Sequence, residues 1–154
     1  MTIEKPKIED LKMIRYILEQ WTDLEEVEKY LSRIESEING ATEYSMNFFV
    51  AKDRELVVGV SGLSQPLPLI LSLAKTINPG EIKIIYIDNN HRGKGLGREI
   101  INYLEQEARN QGYKELFVRS AERYKDTAYG FYKNMGYEEM HKLENSMSVF
   151  HKII

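Results

Sequence analysis

The chain has 154 residues, the size of one ordinary domain, and contains no cysteine. Disulfides, thiolate metal sites and cysteine nucleophiles are therefore excluded, and a reducing compartment, the cytoplasm, is expected. A formal net charge of −3 argues against binding nucleic acid by bulk electrostatics, and no apolar run or leader predicts membrane insertion or secretion. We expect a single domain over residues 1–154.

Two amphipathic helices are predicted in the first third of the chain. Apolar residues recur at steps of three and four over residues 8–21 and again over 24–38. Between the two stretches, residues 22–25 have the form of a capping box with Thr22 as the cap. Trp21 is expected to be a packing residue, and Asn39-Gly40 predicts the end of the second helix.

The hydrophobic period then changes to that of strands. Residues 48–51 and 56–60 are β-prone and predict a hairpin. Residues 64–80 hold three of the four prolines and form a long connection. A binding loop or lid is one interpretation of this connection, and a short surface helix packed on the sheet is the other.

Strands and helices alternate in the second half of the chain. The predicted elements are a strand over 81–87, a helix, a strand over 116–118, a second, short helix, and a hairpin of residues 137–143 and 147–153. The first helix has Leu96, Ile100, Ile101, Leu104 and Ala108 on its apolar face and Gly112 after its end. The short helix is capped by Asp126 and buries Ala128, Phe131 and Met135. This order predicts a mixed sheet with helices packed on it.

A glycine-rich loop, residues 92–97 (RGKGLG), lies between an apolar strand and an amphipathic helix. Alternate glycines let the backbone approach a ligand, and the N–H groups of the following helix turn favour phosphate. His91, Arg92, Lys94 and Arg98 add positive charge. Neither the Walker pattern nor the dinucleotide pattern fits the spacing. The alternative is a turn that only lets the helix pack on the strand.

This loop resembles a known signature. Arg92, Gly95 and Gly97 match the pattern Arg-x-x-Gly-x-Gly, which resembles the acyl-CoA signature of the GNAT superfamily of N-acetyltransferases. Residues 85–88 (IYID) resemble that family's fourth strand, and residues 128–137 (AYGFYKNMGY) resemble its A-x-x-F-Y-x-x-x-G segment.

The resemblance implies the acyl-CoA N-acyltransferase fold, a mixed α/β three-layer arrangement. It has a mostly antiparallel twisted sheet with a splayed parallel pair, helices on both faces, and here a first strand near residues 2–5. The sequence departs from the family at Lys125, where asparagine is common, and in the length of the 64–80 connection. The long connection suggests a distinctive acceptor pocket.

Acetyl-CoA as a cosubstrate is what the resemblance implies, and no metal is expected because the three histidines lack metal-ligand spacing. Main-chain groups of Ile85 and Ile87 would pair with pantetheine, and backbone N–H groups of residues 92–97 would hold the pyrophosphate. The residues implied in cofactor binding are Ile85, Tyr86, Ile87, Arg92, Gly93, Lys94, Gly95, Leu96, Gly97, Arg98, Lys125, Ala128 and Phe131.

Two catalytic roles also follow from the resemblance. Tyr132 would protonate the departing thiolate, and it is free to face the cleft if Phe131 points inward; the alternative for Tyr132 is packing or positioning of the thioester. A lysine-like amine, with a pKa of about 10.4, must lose a proton before it attacks. Glu81 is the candidate base, acting through water; the alternative is an ordinary strand-end carboxylate paired with a lysine such as Lys83 or Lys114.

The predicted function is therefore acetyl transfer from acetyl-CoA to a primary amine of a small molecule or protein, by direct attack in a ternary complex. The alternatives are a non-catalytic acyl-CoA-binding module and a binder of another nucleotide phosphate. The early helices carry glutamates that could attract a cationic amine, although a solvated helix face is the simpler interpretation. The expected partners are acetyl-CoA and an amine acceptor, without nucleic acid or membrane, and the last hairpin is a plausible homodimer edge.

Overall fold

A computed structural model describes residues 1–42 and 45–154. The helices are α1 Leu11–Trp21, α2 Leu24–Ile38, α3 Pro68–Leu71, α4 Leu96–Asn110 and α5 Ala128–Asn134. The strands are β1 Thr2–Glu4, β2 Asn47–Asp53, β3 Leu56–Ser64, β4 Pro79–Ile87, β5 Glu115–Ser120, β6 Glu138–Lys142 and β7 Ser148–Ile153.

The described strands form a sheet in the order β1-β2-β3-β4-β5-β7-β6. β4 and β5 run parallel, whereas β1–β2, β2–β3, β5–β7 and β6–β7 are antiparallel pairs. The predicted mixed α/β fold with one parallel pair is confirmed. The chain forms two compact units, residues 1–64 with 84–103 and residues 65–83 with 104–154, so that β4 and α4 each contribute to both.

In the first unit, α1 and α2 pack on the β2–β3 hairpin. The helix faces predicted from the apolar period supply Ile14, Ile17, Leu18, Val27, Leu31 and Ile34 to its core. The ends of these faces were predicted wrongly, since Ile8 is 53% exposed and Leu24 is 67% exposed. Ile8 lies in a 3-10 turn before α1, and Leu24 is the first residue of α2, so neither has the orientation that a continued helix would give.

The capping box predicted at residues 22–25 is also wrong by one residue. Asp23, with an extended backbone, caps α2 by accepting a hydrogen bond from the Glu26 N–H at 2.9 Å. Thr22 instead ends α1, where its N–H donates to the Leu18 carbonyl at 3.0 Å. Because only two residues separate the helices, Thr22 ends α1 and the cap of α2 falls on the next residue, Asp23. The predicted end of α2 is confirmed at Asn39 and Gly40.

In the second unit, β5 pairs with β4 on one side and with β7 on the other. Phe117, Val149, Leu143 and Ile70 form a buried apolar cluster there. Ile70 belongs to α3, so the 64–80 connection contains the short helix that was one of its two interpretations. β4 begins at Pro79, two residues earlier than predicted.

The predicted anatomy of α5 needs correction. Asp126 is exposed and does not cap the helix; Thr127 stands at the cap position and makes no side-chain cap hydrogen bond. The inward residue of the helix is Tyr129, whereas Ala128 and Phe131 are half-buried. Tyr129 takes the inward position because its hydroxyl finds an acceptor, the Ser120 carbonyl, at 3.2 Å. Met135 is buried as predicted.

Among the described residues, no helix has both the length and the apolar composition needed to cross a bilayer.

Candidate active site

The backbone of the glycine-rich loop has a conformation that only glycine adopts easily. Gly93 and Gly95 have φ angles of +75° and +81°, and a Cβ added at either position would meet no atom within 4 Å. The first hydrogen bond of α4 joins the Glu99 N–H to the Gly95 carbonyl at 3.2 Å. The N–H groups of residues 96–98 therefore have no partner inside the helix, at its electropositive end. This combination of open space and free donors suits a phosphate.

The side chains of the loop supply charge at its surface. Arg92, Lys94 and Arg98 are exposed, whereas Leu96 is buried and anchors the start of α4. The Arg92 guanidinium lies 4.6 Å from the centre of the Trp21 ring, a cation–π contact. Arg92 is therefore held next to the loop by an aromatic surface.

Trp21 joins the end of α1 to the end of β4. Its indole Nε1 donates to the Ile87 carbonyl at 2.8 Å, and its ring stacks on Tyr86 with centroids 6.1 Å apart. Trp21 also packs against the core cluster of the first unit, as predicted. In addition to packing, it fixes the strand end from which the loop departs.

A second set of bonds between α1 and the start of the loop involves Gln20. Its Nε2 donates to the Asp88 carboxylate at 2.8 Å, and its Oε1 accepts from the Asn89 N–H at 2.9 Å. Asp88 also bonds the His91 ring at 2.8 Å and the Asn90 N–H at 3.3 Å. Burial alone would raise the pKa of the Asp88 carboxyl, but the three hydrogen bonds outweigh it and the pKa lies below its ordinary value.

The pairing between β4 and β5 covers only part of each strand. In the described chain the parallel register runs from Pro79 opposite Glu115 to Ile82 opposite Val118. β4 continues for five more residues to Ile87, and β5 continues for two more to Ser120. The parallel pairing therefore stops before either strand ends, as expected for a splayed pair. The main chain of Ile85 and Ile87 lies in the part of β4 that follows the paired residues.

Glu81 is buried and doubly ion-paired. One carboxylate oxygen accepts from Arg119 Nε at 2.8 Å, and the other from Lys83 Nζ at 2.8 Å. The Leu67 N–H adds a third bond at 3.3 Å. The alternative of a paired carboxylate is thus what the structure shows, with Lys83 and Arg119 as the partners rather than Lys114. The base role predicted for Glu81 would therefore use a carboxylate whose two oxygens already accept hydrogen bonds.

Tyr132 differs from the tyrosines around it. It is half-buried between Tyr137 and Phe150, with ring centroids 6.2 and 5.7 Å away, and burial raises its pKa to about 12. Tyr129 donates to the Ser120 carbonyl and Tyr137 to Glu105, each at 3.2 Å. Within residues 1–42 and 45–154 the Tyr132 hydroxyl makes no hydrogen bond. The Tyr132 hydroxyl therefore keeps its proton at neutral pH and donates it to no acceptor among the described residues.

The remaining predicted cofactor residues lie on or near α5. Ala128 begins the helix, Phe131 contacts the Tyr132 ring at 5.4 Å between centroids, and Lys125 is exposed just before it. Among the described residues, no three or more histidine, aspartate or glutamate side chains come together as a metal site.

Comparison with known proteins identifies the family. The sequence model of the acetyltransferase (GNAT) family matches residues 10–137. The chain belongs to this family. Both motifs that carried the resemblance lie inside the matched range.

Individual GNAT relatives agree with this assignment. Human N-acetyltransferase 8B is 31% identical over 94 residues, which are 60% of this chain and 38% of that protein. The chain thus matches well under half of that relative's length. A GNAT-family acetyltransferase from Desulfovibrio desulfuricans has a TM-score of 0.80 at 16% identity, covering 99% of this chain and 96% of that one. PaiA N-acetyltransferase from Thermoplasma acidophilum, in complex with coenzyme A, has a TM-score of 0.70 at 17% identity, covering all of both chains. These structures share the fold.

Three residues of the described site have partners that the sequence pattern does not reveal. Gln20 bonds to residues 68 and 69 positions away, and Arg119 bonds to a residue 38 positions away. Asp88 could have been noticed, because it ends the segment that resembles the family's fourth strand. For Gln20 and Arg119 the sequence offers no periodicity or motif as a signal.

Proposed function

We propose that this chain is an N-acetyltransferase that moves an acetyl group from acetyl-CoA to a primary amine. Its family membership supports acetyltransferase chemistry, and its relatives include N-acetyltransferases. The observation that carries the proposal is the glycine loop, in which two left-handed glycines leave open space beside the free N–H groups of α4. Phosphate oxygens are the ligand groups that such donors prefer.

The residues present fit coenzyme A. Backbone N–H groups of residues 92–97 would hold the pyrophosphate, and Lys94 and Arg98 are exposed at the same loop to add charge. Arg92 would turn from the Trp21 ring towards phosphate or remain stacked beside it. The main chain of Ile85 and Ile87, beyond the β4–β5 register, would pair with the pantetheine amides.

The reaction needs proton transfers from the amine and to the departing thiolate, and a donor for the oxyanion. A neutral amine attacks the thioester carbon, the new C–N bond forms, and the C–S bond breaks. We assign the proton for the departing thiolate to Tyr132, whose hydroxyl is protonated and makes no hydrogen bond within the described residues. A main-chain N–H of β4 would stabilise the oxyanion.

The amine must lose one proton before the attack and another after it. Glu81 stays the sequence-based candidate for the first transfer, through water. Both of its carboxylate oxygens are occupied by Lys83 and Arg119, so we expect that the substrate amine loses its proton to solvent or to a water chain that does not end at Glu81.

Thiol release from acetyl-CoA, measured with a panel of primary amines, tests the proposed function. Release that depends on the amine, with the acetylated amine identified by mass spectrometry, would support transfer. Tight binding of acetyl-CoA without release for any amine would instead favour a non-catalytic acyl-CoA-binding module.

A further inference from the structure

In the ion-pair cluster on β4 and β5, two cations share one carboxylate. Arg119 Nε and Lys83 Nζ each lie 2.8 Å from a different oxygen of Glu81. The nearest acidic group along β5 is Glu115, four residues from Arg119 and roughly 13 Å along the strand. Its carboxylate accepts from the backbone N–H groups of Lys75 and Thr76 and bonds the His151 ring. Glu115 is therefore not a second counter-charge for Arg119.

Arg119 presents hydrogen-bond donors beyond the one that it uses. Its Nε binds Glu81, and its terminal nitrogens make no hydrogen bond within the described residues. The side chain is 25% exposed, whereas that of Glu81 is 1% exposed. The guanidinium is thus fixed from behind by a buried carboxylate and open at its other edge. That edge has the paired N–H geometry that matches a carboxylate.

The surroundings of Arg119 favour an anion that is partly removed from water. Arg119 shares a face of β5 with Phe117, and its cross-strand neighbour is Val149; both apolar residues are fully buried. The same face carries the 64–80 connection, through the Leu67 N–H bond to Glu81 and the packing of Ile70. A charge-assisted hydrogen bond is stronger beside such apolar groups than in water.

The cluster also lies where the β4–β5 pairing ends. Lys83 and Arg119 directly follow Ile82 and Val118, the last residues in register. Lys83 precedes Ile85 by two residues, which is roughly 7 Å along a strand. If the pantetheine pairs with Ile85 and Ile87 as proposed above, its acetyl end lies towards Lys83.

We propose that Arg119, supported by Glu81 and Lys83, binds the carboxylate of an acceptor that carries both an amine and a carboxylate, as amino acids do. This inference rests on the proposed function and names its substrate class. It replaces the cationic acceptor suggested by the glutamates of α2. Of these, Glu28 pairs with Arg15, Glu26 with Lys29 and Glu37 with Lys5.

The test compares amino acids with their primary amides, which keep the amine and lose the negative charge. Wild-type protein should prefer each amino acid over its amide in kcat/KM. Arg119→Gln should lower kcat/KM for the amino acid by about 10- to 100-fold, chiefly through KM, and leave the amide and the KM for acetyl-CoA unchanged. Arg119→Lys should recover only part of the loss, because it restores the charge without the paired donors.

Controls separate binding from folding. Arg123→Gln removes an exposed arginine that lies over Tyr124 and should leave the preference for amino acids intact. If Arg119→Gln lowers the melting temperature, Arg119→Met, which keeps the apolar stem of the side chain and the Glu81–Lys83 ion pair, is measured in its place. An equal loss for the amino acid and its amide, or no preference in the wild type, would overturn the proposal.

Direct binding distinguishes this inference from the proposed function. An N-acetylated amino acid and its amide are titrated into the CoA-saturated protein by calorimetry, which needs no turnover. Arg119-dependent binding of the carboxylate form would support the anion site even if no amine were acetylated. Turnover of amides and uncharged amines without binding of the carboxylate form would leave the transferase standing and remove the anion site.

Discussion

The glycine loop and the Glu81 cluster use different parts of the chain for their chemistry. In the loop, main-chain N–H groups and two left-handed glycines form the site, and the side chains around it are exposed. In the cluster, three charged side chains on two strands hold each other, with their backbones in the sheet. A backbone site depends on local sequence, whereas a side-chain site depends on what the fold brings beside it.

This difference predicts how each region responds to mutation. Changes in the loop should act on cofactor binding and leave the fold intact. Changes in the cluster should act on stability and on acceptor choice together, because a buried charge that loses a partner destabilises the protein.

The largest effect is expected from Gly95→Val. A β-branched side chain at φ +81° strains the backbone and fills the open space beside the α4 N–H groups, so affinity for acetyl-CoA should fall by about 100-fold or more. Gly40→Val is the matched control, since Gly40 has φ +89° and equally open surroundings at the end of α2. Calorimetry of both variants checks this. Equal affinity in the two variants would contradict the loop assignment.

Tyr132→Phe should lower kcat by about 100-fold and leave acetyl-CoA binding nearly unchanged. Because its pKa is about 12, the hydroxyl stays protonated below that pH, and the kcat profile should show no falling limb near pH 10 from this group. Tyr129→Phe, which removes a hydroxyl bonded to the Ser120 carbonyl, should cost stability and not kcat. An unaffected rate in Tyr132→Phe would remove the acid role.

Glu81→Gln should destabilise the fold by about 3 kcal/mol, because Lys83 and Arg119 lose their shared counter-charge. Thermal or denaturant unfolding measures this loss. The rising alkaline limb of the pH–rate profile should keep its shape. A flattened limb with normal stability would instead make Glu81 the base, as its position at the strand start had suggested.

Gln20→Leu should have the smallest effect. It removes two hydrogen bonds that hold Asp88 and Asn89 at the start of the loop, so the KM for acetyl-CoA should rise by about 3- to 10-fold with kcat unchanged. Glu19→Ala changes the exposed neighbour on α1 and serves as the control. An unchanged KM would mean that the loop keeps its conformation without α1.

The elements that could be predicted from the sequence are those with a local signal. The apolar periods gave α1, α2 and α4, and the glycine pattern gave the loop, because each signal lies within a few turns of chain. The cap at Thr22 was wrong because Asp23, next to it, offers an equivalent acceptor for the same N–H groups. The cap at Asp126 was wrong because the cap position of α5 falls one residue later, at Thr127, and has no side-chain cap bond. Tyr129 rather than Phe131 faces inward on α5 because of a carbonyl on another element. The partners of Glu81 and Gln20 depend on strand and helix packing, which no local pattern contains.

The central claim is that the glycine loop binds the phosphates of coenzyme A. Calorimetric titration of the purified chain with acetyl-CoA, CoA and ATP tests it most directly. Tight binding of both CoA species and no binding of ATP is the predicted result. If CoA fails to bind, the loop serves only to pack α4 on β4, and the roles of Tyr132 and Arg119 fall with it.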